Sequence, residues 1–412
     1  MNKPKSPRLR FPNISKDLTA NSLNELSLLV TSGSRDWAQF YSISGAKFIR
    51  MTNLRRGSPV LDLDLEELKY VCVPKTSRDG FRTKLEHGDV LVSITAELGK
   101  IGLVPKDIGD AYINQHVALV RPKKSELCGF LAHYLTAPQT HKRLNRLNDS
   151  GAKSGLNLST LKAFPVYSPE TDECRKIADF LTSVDTKINQ LTESYRLLKE
   201  YKKGVMQQIF SQKVRFKDED GKAFPEWKEY ALKEILLLQS DFLSMDDEET
   251  YELITVKRGF GGVKSRGHFK GKDVLVKNQF TIHENEFVIS KRQIVHGACG
   301  LVPSELDGAI VSNEYNVFRP VEELLDIEYF NRFTTTPFMR RAFFTNSDGV
   351  HIEKLLFKTQ GWLKTRVHIP CLEEQQKITQ FLQAIDVKIK AIAEQIEQTK
   401  QFKKGLLQQM FV

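Results

Sequence analysis

An internal repeat is the sequence feature that most constrains the fold of this chain. Residues 173–210 recur at 374–411, so each residue of the second copy lies 201 positions after its counterpart, as Glu374 does after Glu173. Both copies contain Phe-Leu, Asp-x-Lys-Ile and Lys-Lys-Gly-x-x-Gln-Gln-x-Phe, which begin at Phe180, Asp185 and Lys202 in the first copy and at Phe381, Asp386 and Lys403 in the second. Self-similarity at a fixed spacing indicates that the chain contains one structural unit twice.

Each copy carries apolar residues at alternating spacings of four and three. They are Ile177, Leu181, Val184, Ile188, Leu191, Tyr195 and Leu198 in the first copy, and Ile378, Leu382, Ile385, Ile389, Ile392 and Ile396 in the second. This is the seam of a coiled coil. We therefore predict two long amphipathic helices that pair antiparallel, since the compact domain between them is too small to carry the chain back along the first helix. Lys202 and Lys403 interrupt the seam, so the last turns are expected to pack differently or to fray.

Weaker correspondences divide the rest of the chain into two halves. Gly102-Leu103-Val104-Pro105 and Arg121-Pro122 match Gly300-Leu301-Val302-Pro303 and Arg319-Pro320, and Arg10-Phe11-Pro12 is aligned with Phe224-Pro225-Glu226-Trp227 at the start of each half. Residues 32–82 and 240–282 share almost nothing. We expect two variable domains at 1–172 and 213–372, with spacer helices at 173–212 and 373–412.

The variable domains are predicted to be α+β. Runs rich in β-forming residues, bounded by turn residues, are typical of strands. The predicted strands are Val90–Ile94, Lys100–Val104 and Tyr112–Val120, with Glu286–Ser290, Gly300–Val302 and Ile310–Phe318 in the second half. A helical stretch follows in each half, at Phe130–Leu147 and Ile327–Phe344.

The formal charge of +10 and the pI near 9.1 favour a polyanionic partner, because Lys and Arg that neutralise phosphates release counterions. Basic and aromatic residues concentrate in the variable domains, and glycines are interleaved with them near residues 257–267. Such a loop suits close approach to a phosphate backbone. The candidate DNA-binding residues are Arg35, Trp37, Arg50, Arg55, Arg56, His141, Lys142, Arg143, Lys153, Lys257, Arg258, Lys264, Arg266, His268, Lys270, Lys291, Arg292 and His296.

The sequence carries no recognised catalytic or cofactor motif. Phosphate-binding loops, zinc-protease motifs and serine-nucleophile motifs are missing from it. Asp64, Glu67 and Lys69 superficially suggest a nuclease triad, but they lie within one acidic run that is more typical of a solvated surface. The five cysteines are widely spaced and are expected to be free, mostly buried thiols. No signal peptide or 18-residue apolar run is present, so a cytoplasmic protein is expected.

The chain resembles the specificity subunit of a type I restriction-modification system. The resemblance rests on the two repeated motifs and on Phe224-Pro225-Glu226-Trp227, and it covers essentially the full length. It implies two target-recognition domains that each read one half of a split DNA site. It also implies assembly with two adenine methyltransferase subunits and with a restriction translocase subunit. S-adenosylmethionine, ATP and magnesium would then belong to those partners, and the chain itself would hold no cofactor or metal.

Other interpretations of the sequence remain open. The chain could be the specificity subunit of a type II-like enzyme, in which nuclease and methyltransferase share one chain. It could also be a coiled-coil adaptor that binds two proteins and no DNA, or a nuclease without recognised motifs. Salt-dependent binding of the assembled complex to duplex DNA would separate the DNA-binding interpretations from the adaptor.

Overall fold

A computed structural model describes residues 7–12, 17–63, 68–74, 80–147, 155–351 and 355–411. The chain divides into two compact units. Unit 1 consists of Met1–Tyr195 together with Ala391–Val412, and unit 2 consists of Arg196–Lys390. Unit 1 therefore contains a segment of the second repeat as well as its own half of the chain.

Unit 1 is a mixture of short strands and helices. Its strands are β1 (Thr19–Ser22), β2 (Ser27–Ser32), β3 (Tyr41–Ser42), β4 (Ala46–Ile49), β5 (Lys69–Val71), β6 (Val90–Ser93), β7 (Ile101–Leu103), β8 (Ala111–Ile113), β9 (Val117–Pro122) and β10 (Pro165–Ser168). Its helices are α1 (Ser125–Thr136), α2 (Pro138–Arg146), α3 (Leu158–Lys162) and the first part of α4 (Thr171–Phe210).

Unit 2 begins within α4 and is likewise a mixture of short strands and helices. Its strands are β11 (Lys228–Ala231), β12 (Leu236–Gln239), β13 (Phe242–Leu243), β14 (Thr250–Val256), β15 (Val263–Lys270), β16 (Gln279–Thr281), β17 (Phe287–Ser290), β18 (Cys299–Leu301), β19 (Ile310–Ser312), β20 (Tyr315–Pro320), β21 (Ser347–Asp348), β22 (Leu356–Phe357) and β23 (Arg366–Ile369). Its helices are α5 (Leu232–Ile235), α6 (Ile327–Phe333), α7 (Pro337–Thr345), α8 (Thr359–Trp362) and the first part of α9 (Leu372–Met410). The predicted α+β class is confirmed.

Both units contain the same four-stranded sheet, which we call the frame sheet. Its strand order is β2-β9-β6-β7 in unit 1 and β12-β20-β17-β18 in unit 2. A second matching feature is the two-stranded pair formed by β1 and β10, which corresponds to β11 with β23. The two halves of the chain thus share one fold, as the weak sequence correspondences indicate.

A second sheet, which we call the variable sheet, differs between the units. Its order is β3-β5-β4-β8 in unit 1 and β13-β16-β19-β14-β15 in unit 2. In unit 2 the long hairpin of β14 and β15 enlarges this sheet. Apart from β8 and β19, these strands come from the segments whose sequences have diverged, so the divergence is concentrated in one sheet of each unit.

The repeated Arg-Pro and Gly-Leu-Val-Pro motifs have structural roles in the frame sheet. Arg121 forms an ion pair of 2.8 Å with the buried carboxylate of Asp89, and Arg319 forms one of 2.6 Å with the buried Glu286. A Cβ atom on Gly300 would lie 2.7 Å from the Cα of Gly262, so this position admits only glycine without a shift of the backbone.

Two of the predicted stretches have the expected type of structure but are each divided into two elements. The predicted strand Tyr112–Val120 is two strands, β8 and β9, and its counterpart is also divided, into β19 and β20. The predicted helix Phe130–Leu147 ends at Thr136 and restarts at Pro138, and the counterpart restarts at Pro337. Because the residue before a proline is disfavoured in helical geometry, each proline begins a new helix.

The predicted long helices α4 and α9 are confirmed, with their apolar seams facing inward. The seam residues Ile177, Leu181, Val184, Leu191, Ile378, Leu382 and Ile385 are buried, and Ile188, Tyr195, Leu198, Ile389, Ile392 and Ile396 are half-buried. In unit 1, Ile177 and Met410 line the same small cavity, while Asp185 contacts Lys403. Moving along α4 in one direction therefore follows α9 in the other, so the helices are antiparallel there.

The lysines that interrupt the seam form ion pairs between the repeats. Lys403 of the second repeat contacts Asp185 of the first at 2.6 Å, and Lys202 of the first contacts Asp386 of the second at 2.5 Å. Asp185 aligns with Asp386, and Lys202 aligns with Lys403. Each ion pair therefore joins the aspartate of one repeat to the lysine of the other. Each pair thus joins the two repeats within one unit.

The last turns of both helices are packed and not frayed, in agreement with the alternative expectation that they pack differently from the seam. In unit 1, Phe411 packs on Phe130 and Tyr134, with ring centroids 5.7 and 5.6 Å away. Gln139 donates hydrogen bonds from its amide nitrogen to the carbonyls of Leu407 and Phe411. These are carbonyls that a helix end leaves without intrahelical partners.

The aligned phenylalanine of the first repeat has the same surroundings in unit 2. Phe210 packs on Tyr329 and Phe333, with ring centroids 5.6 Å away in both cases. The final phenylalanine of each repeat therefore packs on the helical part of the other half of the chain.

The residues that open the two halves correspond in a different way from the one in which the sequence was aligned. Arg10 pairs with the buried Glu173 in unit 1, and Arg215 pairs with the aligned Glu374 in unit 2, at 2.8 Å. The next residue is a phenylalanine in both cases, and it contacts the repeated phenylalanine of the helix. Arg10-Phe11 is therefore equivalent to Arg215-Phe216, and its alignment with Phe224-Pro225 was wrong.

The expectation of mostly buried thiols was also wrong. All five cysteines are free, but only Cys174 and Cys299 are buried, while Cys128 and Cys371 are half-buried and Cys72 is exposed. No helix among the described residues is both long and apolar enough to cross a membrane.

A buried histidine lies beside the ion pair of unit 1. His133 is fully buried, with its Nδ1 3.9 Å from the Asp185 carboxylate and its Nε2 3.2 Å from the Thr182 hydroxyl. Burial, together with the neighbouring Lys403 charge, lowers the pKa of His133 to about 3. His133 is therefore neutral in the folded protein at physiological pH.

This burial predicts a pH dependence of stability. The unfolded histidine takes up a proton as the pH falls through its ordinary pKa of 6.5, whereas folded His133 does not do so until about 3. Stability is therefore lost as the pH falls from 6.5, by up to about 1.4 kcal/mol per pH unit. His133→Gln should reduce this loss between pH 6.5 and 5, as measured by urea unfolding at several pH values. The control is His268→Gln, which alters an exposed histidine. Equal pH slopes in wild type and His133→Gln would contradict this account.

Candidate nucleic-acid interface

The hairpin loop of residues 257–262 is the most distinctive basic feature of unit 2. Gly259, Phe260 and Gly262 have φ angles of 68°, 60° and 73°. Phe260 is strained there, because the left-handed region is unfavourable for bulky side chains. Backbone hydrogen bonds of 2.7 Å run from the amides of Gly259 and Phe260 to the carbonyls of His296 and Gly297. The loop is thus held in one conformation against the neighbouring turn.

The basic side chains of this loop are available to a ligand. Lys257 and Arg258 are exposed, as is Lys264 at the start of β15. Within the described ranges, no carboxylate lies in ion-pair distance of these three cations. Arg340, which the sequence prediction omitted, places its guanidinium 4.5 Å from the ring centre of Phe260. Rigid presentation of unpaired cations suits contact with phosphates and base edges.

Arg340 could have been found from the repeat. It follows Pro337 by three residues, as His141 follows Pro138. The predicted cluster His141-Lys142-Arg143 thus has its counterpart at Arg340-Arg341, which lies in the predicted helix Ile327–Phe344.

The remaining basic candidates of β15, and Lys272 directly after it, mostly have carboxylate or aromatic neighbours. His268 lies 3.8 Å from Glu252, and Lys270 and Lys272 both approach Glu248, at 3.4 and 3.8 Å. Arg266 places its guanidinium 5.9 Å from the ring centre of Phe269 and occupies an irregularity in the pairing with β14. The positive charge of unit 2 is therefore concentrated at the hairpin loop rather than spread along the strand.

Lys264 and His268 also lie on different faces of this hairpin. Lys264 is opposite Thr255, and His268 is opposite Glu252. Cross-strand partners share a face, and residues separated by an odd number along a strand point to opposite faces. The sequence grouped these two residues, but the register separates them.

The turn beside the hairpin loop contains the last three candidates of unit 2. Lys291 donates to the carbonyl of Asn313, and Arg292 pairs with Glu314 at 2.6 Å, which raises the pKa of Arg292. The Nε2 atom of His296 is buried without a hydrogen-bond partner among the described residues. Arg292 thus has a carboxylate partner, whereas Arg258 has none among the described residues.

In unit 1 the structure separates the candidates into exposed and packed residues. Arg35 is exposed, while Arg50 is half-buried. Trp37 is 4% exposed and its ring packs on Phe48 and Tyr112, so it belongs to a core rather than to an exposed stacking surface.

Arg55 and Arg56 are exposed cations with exposed partners. Arg55 pairs with Asp62 at 2.8 Å, and Arg56 lies 3.7 Å from Glu97. Surface ion pairs of this kind contribute little stability, typically about 0–1 kcal/mol. A phosphate group can therefore replace either carboxylate at small cost.

Two of the three side chains in the His141-Lys142-Arg143 cluster on α2 make contacts within the protein. His141 lies 3.2 Å from the carbonyl of Leu98, and burial lowers its pKa. Arg143 lies over the rings of Phe164 and Tyr167. Lys142 alone of the three is exposed. Lys153, Asp64 and Glu67 lie outside the described residues, whereas Lys69 begins β5.

Among the described residues, no group of three or more His, Cys, Asp or Glu side chains is placed to hold a metal ion. The arrangement in both units is instead one of exposed cations on the loops of the variable sheets. Such an arrangement suits contact with a polyanion.

Comparisons with known proteins identify the family. The model of the type I restriction modification DNA specificity domain matches residues 74–199 and 225–401, which is more than half of the chain. A putative type I restriction enzyme specificity subunit, MjaX, from Methanocaldococcus jannaschii is 24% identical over 373 residues, with 84% of this chain and 82% of that protein covered. The EcoBI specificity subunit of Escherichia coli is 28% identical over 134 residues, or 32% of this chain and 27% of that one.

Solved structures agree with this assignment at the level of the fold. The S subunit of a type I restriction-modification system from M. genitalium superposes with a TM-score of 0.58 at 13% identity, with 99% of both chains covered. A chain from a study of assembly and conformational transition of the type I system gives 0.55 at 15% identity, over 97% of this chain and 98% of that one. Together with the repeat and the two similar units, these findings show that the chain belongs to the type I restriction-modification DNA specificity family and is the non-catalytic specificity subunit of such a system.

Proposed function

We propose that this subunit reads a bipartite, asymmetric site on double-stranded DNA, with one specified block for each unit. The observation that carries the proposal is the pairing of equal frame sheets with unlike variable sheets. Because the two frame sheets have the same strand order, each unit holds its variable loops against DNA in the same manner. The loops differ between the units, so they recognise different bases. A site with two unlike blocks follows from this difference.

The loops of the variable sheets, together with neighbouring exposed cations, are the proposed contact regions. In unit 2 the contacts come from Lys257 and Arg258 of the hairpin loop and from Lys264 of β15. In unit 1 they come from the loop residues Arg35, Arg55 and Arg56 and from Lys142 on α2. Phosphate contacts by Lys and Arg fix the register of a protein on DNA, and bidentate Arg contacts to guanine supply discrimination.

The proposed partners are two methyltransferase subunits and a restriction translocase, which would use S-adenosylmethionine, ATP and magnesium. Two copies of one partner need two equivalent surfaces. The repeat supplies candidates, because Tyr201 and Phe402 occupy aligned positions and are 52% and 55% exposed. Exposed aromatic residues are enriched at protein interfaces.

The first test of DNA contact is the salt dependence of binding. Replacing both Lys257 and Arg258 by Ala should weaken binding to duplex DNA and reduce the slope of log K against log salt by about two units. The matched control replaces Lys270 and Lys272, which already share Glu248, and should change the slope by less than half as much. Equal changes for the two double variants would show that the hairpin loop has no special role.

A second test concerns the gap between the two blocks. Deleting Ile188–Ser194 together with Ile389–Gln395 keeps both seams in phase and retains both Asp–Lys pairs, but it shortens each helix by roughly 10 Å. We expect the methylated motif to keep both blocks with a shorter gap, as read by methylome sequencing. Deleting the heptad from only one helix is the control, and it should abolish binding because the seams lose register. An unchanged gap after the double deletion would contradict the proposal.

A third test concerns assembly. The chain alone should show no methyltransferase or nuclease activity, and native mass spectrometry should show two methyltransferase subunits bound. Tyr201→Ala or Phe402→Ala should each remove one copy. Leu197→Ala is the control, since this exposed side chain has no apolar counterpart in the second repeat. A complex that never exceeds one methyltransferase subunit would refute the stoichiometry.

A further inference from the structure

The segment between Asn53 and Asp62 in unit 1 forms a closed loop, which we call the 53–62 loop. The Asp62 amide donates to the Asn53 carbonyl at 2.8 Å, and the Asn53 side chain donates to the Asp62 carbonyl at 2.9 Å. The loop also runs along β7, where Arg55 forms a backbone bridge with Ile101. Its backbone is therefore fixed at its base and along one side.

The tip of the 53–62 loop contacts the buried ion pair between the two repeats. The ammonium of Lys403, which pairs with Asp185, also donates a hydrogen bond of 3.1 Å to the carbonyl of Gly57. The hydroxyl of Ser58 donates one of 3.1 Å to the same Asp185 carboxylate. One charged pair, supplied by α4 and α9, thus holds two adjacent residues of the loop.

These two residues directly follow the exposed arginines of the loop. Arg55 and Arg56 precede Gly57, and Arg56 is 61% exposed at its side chain. Any rotation of the loop tip would redirect both guanidinium groups. Base-edge contacts require side chains to be held in productive geometry to within about 0.5 Å.

Unit 2 shows that the loop contact is not needed for the ion pair itself. Asp386 pairs with Lys202 and also with Arg332, at 2.8 Å, and the structure gives this pair no contact from a variable-sheet loop among the described residues. The side chains of Asp386 and Lys202 are 38% and 25% exposed, compared with 6% and 4% for Asp185 and Lys403. The extra burial in unit 1 coincides with the contacts from the 53–62 loop.

We propose that the Asp185–Lys403 pair and Ser58 position the 53–62 loop so that Arg55 and Arg56 read the DNA block recognised by unit 1. Ser58, Asp185 and Lys403 are positioning residues that do not touch DNA. This inference rests on the proposed function, since it assumes that each unit reads one block. It makes the long helices part of sequence discrimination at one block only.

The test measures discrimination separately at each block. The full-length chain, assembled with its methyltransferase partner, is titrated against duplexes that carry one changed base pair in one block or the other. Replacing Arg55 and Arg56 by Ala identifies the block read by unit 1. Ser58→Ala and the charge-neutral double variant Asp185→Asn/Lys403→Met should then lower discrimination in that block at least about fivefold and leave the other block within about twofold.

Matched controls separate positioning from general stability. Ser58→Thr keeps the hydroxyl and should retain wild-type discrimination. Asp386→Asn/Lys202→Met changes the aligned pair in unit 2, which has no loop contact among the described residues. It should leave discrimination in the block read by unit 1 unchanged. If the double variant in unit 1 fails to fold, as judged by its melting transition, Ser58→Ala decides the question.

The outcomes distinguish this inference from the proposed function. Wild-type protein that discriminates in neither block would refute the proposed function. Wild-type discrimination with no loss in Ser58→Ala, or an equal loss in both blocks, would overturn the positioning role. The expected result is that Ser58→Ala loses discrimination only in the block that Arg55 and Arg56 read, and that Ser58→Thr retains discrimination in that block.

Discussion

The exchanged ion pairs between the two repeats are the interactions on which each unit depends. Asp185 receives Lys403 from the second repeat, and Asp386 receives Lys202 from the first. Asp185 and Lys403 are buried, and a buried charge that loses its partner costs about 3–5 kcal/mol, so unit 1 depends strongly on the helix segment of the second repeat. The same exchange explains why Asp, Lys and the final Phe recur together in the sequence.

Each unit consists of a part that both units share, which includes the frame sheet, and a part that differs between them, which is the variable sheet. Arg121 with Asp89, and Arg319 with Glu286, neutralise buried carboxylates at equivalent places. With these contacts supplied by the frame, the strands of the variable sheet can change in number and sequence without loss of the fold. This division suits a subunit whose task is to recognise DNA sequence.

Positive charge in the sequence is a poor guide to charge that is available at the surface. Arg143 and Arg292 are as basic as Arg258 in the sequence, yet aromatic rings hold the first and Glu314 pairs with the second. Lys257 and Arg258 of the hairpin loop have no carboxylate partner among the described residues, because backbone hydrogen bonds, and not these basic side chains, hold the loop in place. Whether a basic side chain is available to a ligand thus depends on which groups make the contacts that hold its loop in place.

The sequence by itself determined the repeat, the two helices, the α+β domains and the family, because heptad spacing and repeated motifs are local patterns in the chain. The breaks before Pro138 and Pro337 were also encoded locally, although the prediction overlooked them. Only the tertiary structure decided that Trp37 is buried and that Lys403 holds the carbonyl of Gly57. These contacts join residues from different parts of the chain, 346 positions apart in the case of Lys403 and Gly57, and no local pattern of apolar or charged residues specifies which distant partner a side chain meets.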